Sequence, residues 1–228
     1  MKKLALVGYG KMGKLVEQLA PEYGFDIRLR QDSRSTAESF ENIDVTIEFS
    51  TPAAAPENLK RLARARVPCV SGTTGWFEHF DEVREVFESA GTALVWSTNF
   101  SPGMAVFRRL AAVAAELLGP NPEFEAWTWE IHHSAKKDAP SGTLKTLVNA
   151  MRERGWTRPI DSGFNRAGKH PGTHEIGFDS AAETITLRHT SRSREAFARG
   201  ALHAAAWIIG RTGIYTFDEV LFGTESRP

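Results

Sequence analysis

The chain has 228 residues, 41% of them hydrophobic, which is ample for a sizeable core in either one large or two small domains. Lys+Arg and Asp+Glu both number 28, so no global field draws in nucleic acid or a membrane, and any anion must be held by a local cluster. The single Cys69 rules out an intrachain disulfide, and no Cys/His set stands at metal spacing, which fits a reducing compartment and no bound metal. Met1 to Val7 is too short an apolar segment for a signal peptide or a membrane span, so the expected location is the cytoplasm.

Those first residues read as a strand, and Gly8-Tyr9-Gly10-Lys11-Met12-Gly13 follows at once. Met12, Leu15, Val16 and Leu19 then recur at helical spacing. In a strand, glycine turn and helix of this kind, the first glycine permits a tight turn. The second lets a pyrophosphate reach the backbone, and the third lets the helix pack on its strand. A second strand is expected at Phe25–Leu29, with Asp32 after it in place to bind an adenosine ribose. Arg28, Arg30 and Arg34 flank Asp32 and would suit a 2′-phosphate, so NADH and NADPH both remain open.

Asp44–Phe49 reads as a strand, Leu59, Leu62 and Ala63 as a helix face, and Val67–Val70 and Ala93–Trp96 as further strands. Strands alternating with helices imply a parallel sheet. Two of these strands end in loops, Ser71-Gly72-Thr73-Thr74-Gly75 and Ser97-Thr98-Asn99-Phe100-Ser101-Pro102-Gly103. Ligands in open α/β sheets bind beyond the carboxyl ends of strands, so a nicotinamide is expected against Gly72, Thr73, Thr74 and Ser97, Thr98, Asn99, Phe100. Met104, Phe107, Ala111, Ala114 and Leu118 then form one apolar helix face, which reads as core.

From here the pattern changes. Trp127, Trp129 and Ile131 alternate with Thr128, Glu130 and His132, a period of two that places His132 and His133 on opposite faces at a strand end. Ser134-Ala135-Lys136-Lys137-Asp138-Ala139-Pro140-Ser141-Gly142-Thr143 follows, then Leu144, Leu147, Val148 and Met151 at helical spacing, so a helix starts near Ser141, a natural N-cap, and stops near Gly155. The unpaired N–H groups around Gly142 and Thr143 suit a carboxylate. Lys136 and one histidine can reach the same space as charge partner or proton donor. Crowding of Lys136, Lys137, His132 and His133 is expected to ease loss of a proton from one of them. Two short strands, Thr173–Phe178 and Thr184–His189, lie beyond a basic turn at 165–172, and a helix around Phe197, Ala201, Ala205 and Ile208 precedes Gly213–Phe217.

His132-His133-x-x-Lys136-x-Asp138-Ala139-Pro140-Ser141-Gly142-Thr143 resembles the substrate motif of dihydrodipicolinate reductases, the nicotinamide-dependent reductases of bacterial lysine and diaminopimelate synthesis. Gly72–Gly75, Asn99–Gly103, Arg166-x-Gly168, Gly172-x-His174-x-x-x-Phe178 and Ser191–Ala201 resemble further segments of that family, so the likeness covers nearly the whole chain in a shortened form. It implies a Rossmann-type α/β dinucleotide-binding domain at 1–101 and 204–228 and a smaller α+β domain for substrate and oligomerisation at 102–203, hinged near 101 and 203. It also implies NADH or NADPH as cofactor, a small dicarboxylate as substrate, and a homo-oligomer whose family tetramer depends on the shortened domain. By resemblance His132 is the general acid/base, Lys136 a proton donor or charge stabiliser, and His133, Ser141, Gly142 and Thr143 hold substrate, with Glu130 orienting a histidine. The expected reaction is reduction of the imine derived from 4-hydroxy-tetrahydrodipicolinate. Alternatives are another imine or amino-acid dehydrogenase, or a dinucleotide sensor without turnover.

Overall fold

In the computed structural model, which describes residues 1–32, 34 and 39–223, the chain divides into two compact units, Met1–Pro102 with Glu195–Pro228, and Gly103–Arg194. The first is built on a six-stranded sheet of β1 (Lys2–Val7), β2 (Phe25–Gln31), β3 (Val45–Glu48), β4 (Cys69–Ser71), β5 (Ala93–Trp96) and a strand near the C-terminus, β10 (Gly213–Thr216). Their order is β10-β5-β4-β3-β1-β2, and every pairing is parallel. Successive residues of β1 face opposite sides, so Leu4 and Leu6 pack into one core and Ala5 and Val7 into another. Both faces are covered, which is why these strands read as continuous apolar runs.

Helix α1 (Lys11–Leu19) contributes Val16 and Leu19 to the first face, and α6 (Glu195–Ile208) adds Ala198, Ala201, Leu202, Ala205 and Ile208. Helices α2 (Ala55–Arg64) and α3 (Phe80–Ala90) bury Leu59, Leu62, Val83 and Phe87 on the second face. The chain leaves β1 for β2 on one side and returns to β3 on the other, so the point at which the strand order reverses lies at the carboxyl ends of β1 and β3. The whole of α6 belongs to this unit, whereas the sequence reading set the crossing inside it, near residue 203.

The second unit is a four-stranded sheet, β7-β6-β8-β9, formed by β6 (Glu125–His132), β7 (Ile160–Arg166), β8 (Thr173–Asp179) and β9 (Thr184–Thr190). β7 runs parallel to β6, while β8 and β9 are antiparallel to their neighbours. Helices α4 (Pro102–Leu118) and α5 (Gly142–Glu153) supply Phe107, Ala111, Leu144, Leu147 and Met151 to one core with Ala126, Ile176 and Phe178 of the sheet. No helix among the described residues is long and apolar enough to cross a membrane.

Candidate active site

The loop after β1 is shaped by its glycines. Gly8 has φ +94° and lies against the chain just after β3, since a Cβ there would stand 2.0 Å from the Phe49 carbonyl oxygen. A Cβ on Gly13 would meet the Gly8 carbonyl at 2.4 Å, so α1 packs directly on the turn. Gly10, the N-cap of α1, has nothing within 4 Å of the space its Cβ would fill. A helix N-terminus with no capping side chain and an open approach suits a phosphate group, so these residues fit a dinucleotide. Lys11 is exposed, and Met12 packs partly against the core.

Beside this loop the Tyr9 hydroxyl donates to Glu17, which also pairs with Arg30 of β2, the Arg30 Nε lying 2.6 Å from the carboxylate. Arg28 pairs with Asp26 at 2.8 Å. Asp32 follows β2 directly, at the expected ribose position, and accepts the Arg34 backbone N–H at 2.8 Å. Two of the three flanking arginines are therefore engaged with carboxylates of their own unit, and Arg34 is the one adjacent to Asp32.

The loops after β4 and β5 sit where the reading put them, at the carboxyl ends of their strands. What holds the first is a residue the sequence reading treated only as part of a strand. Glu48, fully buried at the end of β3, accepts Ser71 Oγ at 2.7 Å, Thr73 Oγ1 at 2.8 Å and the Ser50 backbone N–H at 3.0 Å, together with the Ser50 hydroxyl. Burial raises its carboxyl above the usual range, against the pull of those hydrogen bonds. Thr73 is thus fixed by its side chain, Thr74 is exposed and Gly72 packs on the Phe49 ring. Ser97 Oγ donates to the Asn99 carbonyl at 2.9 Å, Asn99 Oδ1 accepts the Ser101 N–H, and Thr98 is exposed. The Phe100 ring lies in the core, its centroid 4.8 Å from that of Phe217 and 6.4 Å from that of Phe49, so only its backbone faces the loop.

In the second unit, strand register gathers the chemistry. The period of two puts Glu130 and His132 on the same face of β6. The antiparallel register sets His174 of β8 opposite Glu130 and His189 of β9 opposite His174, and the parallel register sets Arg166 of β7 opposite His132. Glu130 is fully buried. Its Oε1 accepts the Ser141 N–H at 2.8 Å and Arg166 Nη2 at 2.7 Å, and its Oε2 accepts the Ser141 hydroxyl. Nε2 of His132 and Nε2 of His174 each lie 3.4 Å from that Oε2 and 3.3 Å from one another. Burial alone would raise the Glu130 carboxyl, but the bonds from His174, Ser141 and Arg166 hold it well below its ordinary value. His132 is pushed down to about 4, first by burial, then by His174, with Lys136 and Arg166 adding smaller repulsions and Glu130 opposing. The expected crowding by lysines is therefore corrected: Lys136 pairs with Asp138 at 2.7 Å, and burial with a second histidine does most of the work.

Ser141 is the N-cap of α5, accepting the Leu144 N–H at 3.1 Å, and the space beside Gly142 is open. His133 is half-buried in the loop directly after β6, and Thr143 is half-buried in the first turn of α5. The fold also brings together what sequence spacing did not show. Glu130, His132 and His174 each offer a metal-ligating atom, all within 4.8 Å of one another. Arg166 already balances the Glu130 charge, so a divalent ion here would set three positive charges against one carboxylate in a buried site. The cluster is better matched to holding protons. Arg166 and His174 fall in a basic turn and a short strand that resemble family segments but carry no assigned role in the sequence, and the paired register is what brings them to Glu130 and His132.

The N-terminal half of the dihydrodipicolinate reductase family model matches residues 2–100, and the C-terminal half matches residues 103–221. The chain belongs to the dihydrodipicolinate reductase family. A 4-hydroxy-tetrahydrodipicolinate reductase of Christiangramia forsetii is 35% identical over 232 residues, which cover 96% of this chain and 97% of that one. Another from Nitratiruptor sp. is 36% identical over 198 residues, 78% of this chain and 76% of its own. The compact length of the chain is thus shared with the first of these reductases. Among solved structures, a dipicolinate-bound dihydrodipicolinate reductase from Paenisporosarcina sp. TG-14 superposes with a TM-score of 0.77 at 22% identity over 95% of this chain and 97% of that one. An amine dehydrogenase from Mycobacterium smegmatis superposes at 0.59 and 11% identity over 95% of each chain. At those identities the likeness speaks for the fold. Membership of a dinucleotide-binding reductase family implies a nicotinamide cofactor.

Proposed function

We propose that the chain is a 4-hydroxy-tetrahydrodipicolinate reductase, reducing the derived cyclic imine to tetrahydrodipicolinate with NADH or NADPH. The observation that carries this reading is the Glu130, His132, His174 and Ser141 cluster at the N-terminus of α5, set within the second of two family matches at residues 2–100 and 103–221. In this reading Gly8, Gly10 and Gly13 with the N-terminus of α1 hold the pyrophosphate, and Asp32 takes the ribose hydroxyls. Arg34 meets a 2′-phosphate when one is present. Gly72, Thr73, Thr74 and the backbone of Ser97 through Phe100 hold the nicotinamide, which supplies a hydride when bound in reduced form. The N–H groups of Gly142 and Thr143 grip one substrate carboxylate, with His133 alongside.

Reduction takes up one hydride and one proton. His132 is neutral at neutral pH, so the proton at hand is on the Lys136 ammonium group, and His132 is the imidazole that accepts a proton and passes it on. Glu130 fixes the His132 ring. A cytoplasmic location suits the buried free thiol of Cys69. A homo-oligomer suits the half-buried Trp127, Trp129 and Ile131 on the outer face of the second sheet.

The test is oxidation of NADH and NADPH with substrate made in place by the preceding synthase. His132→Ala and Lys136→Ala should each lower the rate by about 10²–10⁴-fold. Arg34→Ala should lower the NADPH rate relative to the NADH rate. Cofactor binding without substrate-dependent oxidation in wild type would overturn the assignment in favour of another dehydrogenase or a sensor.

A further inference from the structure

Glu130 has a limited capacity. A carboxylate offers about four acceptor positions, and the Ser141 N–H, Arg166 and the Ser141 hydroxyl occupy three. One position on Oε2 remains, and two imidazole nitrogens reach for it, each at 3.4 Å; Nε2 of His174 alone also lies 3.4 Å from Ser141 Oγ, which can share a proton carried there. Their separation of 3.3 Å forbids two N–H bonds pointing into the same gap. One ring must donate and the other must present a bare nitrogen.

The surroundings decide which. Nδ1 of His174 is buried and has no hydrogen-bond partner among the described residues. A stranded N–H there is costlier than a bare acceptor, so the His174 proton belongs on Nε2. His132 has a different far edge. Gly172, at φ +143°, lies against it, and a Cβ there would stand 2.9 Å from Cε1 and 3.2 Å from Nδ1 of His132. The glycine keeps that edge of the ring clear of any side chain.

We propose that His174 is the positioning residue for His132: by filling the last acceptor position of Glu130, it keeps Nε2 of His132 bare and the His132 proton on Nδ1, at the edge left clear by Gly172. This rests on the assignment of His132 as the acid–base group. A His132 imidazolium would compete with His174 for that Glu130 position, so His174 holds the His132 protonation midpoint down while leaving Nε2 as its proton-accepting atom. The other charged or titratable groups around the pair are Lys136 in the loop after β6, which is bound to Asp138, Arg166 on β7 and His189 on β9. All but Asp138 are cations or potential cations and oppose a further charge on His132.

The experiment is NMR on the full chain labelled at histidine, with His132→Asn identifying the resonance. In wild type, ring nitrogen shifts should show His132 protonated at Nδ1 and His174 at Nε2, and the opposite pattern overturns the proposal. In His174→Leu, freed Glu130 accepts the His132 Nε2–H, and the His132 titration midpoint should rise by about one unit or more. In His174→Gln, whose amide can still donate to Glu130, the midpoint should stay within about 0.3 unit of wild type. A midpoint unmoved in His174→Leu, or moved equally in His174→Gln, also overturns it. If His174→Leu does not fold, the wild-type tautomers and His174→Gln still decide. The acidic limb of kcat should follow the midpoint while KM for NADH stays unchanged. An inactive wild type would refute the proposed reaction and leave the tautomer result to judge His174 separately.

Discussion

Replacing Ser141 with alanine removes one oxygen atom with three polar contacts, of which the one to His174 Nε2, at 3.4 Å, is the longest. Its hydroxyl caps α5 by accepting the Leu144 N–H, and it donates to the buried Glu130 carboxylate. Loss of a side-chain N-cap costs about 1 kcal/mol. Loss of a hydrogen bond to a charged group costs about 1.5–3 kcal/mol, and with the residue only 1% exposed water cannot readily take its place. The sum is about 2.5–4 kcal/mol. Urea unfolding followed by tryptophan fluorescence reads it, since Trp127, Trp129 and Trp156 lie in the same unit. A double-mutant cycle with Glu130→Gln separates the two contributions, because the cap bond persists in both arms and cancels. The coupling should be about 0.5–1.5 kcal/mol, the excess of the charged bond over the neutral one that the amide oxygen in Glu130→Gln can still accept. A total loss below about 1 kcal/mol, or a coupling below about 0.5 kcal/mol, would show that the hydroxyl does not support the carboxylate as described.

Gly10→Val should cost about 0.5–2 kcal/mol of stability as a poorer N-cap, its Cβ entering open space, yet raise the NADH dissociation constant about tenfold or more by filling the phosphate approach. Calorimetric titration with NADH checks it, and unchanged binding would move the phosphate elsewhere. Glu48 has a folded-state pKa above its unfolded value, so its contribution is complete below about pH 4.5 and is lost as pH rises through the folded value. Stability measured against Glu48→Gln from pH 4.5 upward should therefore fall in wild type relative to the variant. A constant difference between the two would contradict the burial-driven shift.

How much of this was legible in the sequence depends on range. The glycine turn, the Ser141 cap and the alternating faces of β6 are local patterns, and each lies where its spacing puts it. β7 was missed because Ile160-Asp161-Ser162-Gly163-Phe164-Asn165-Arg166 has no apolar alternation, every position being exposed or half-buried at a sheet edge. Phe80–Ala90 went without an element, having only Val83 and Phe87 as buried positions amid acidic residues. Glu48, Arg166 and His174 needed strand register, which pairs residues far apart in the chain, and no periodicity encodes it. The family resemblance located the motif that contains His132, but the pairing of that histidine with a second one is visible only when β6 and β8 lie side by side.

The discontinuity of the first unit governs how the chain can assemble as it leaves the ribosome. β5 remains an unpaired edge, and one side of the parallel sheet lacks α6, until residues 195–216 have been made. The unit at Gly103–Arg194 is contiguous and has its own core, so it can close first. During synthesis the early half therefore waits with an apolar face and an open strand exposed, and a stall or truncation before Glu195 would release a species prone to pairing with its copies.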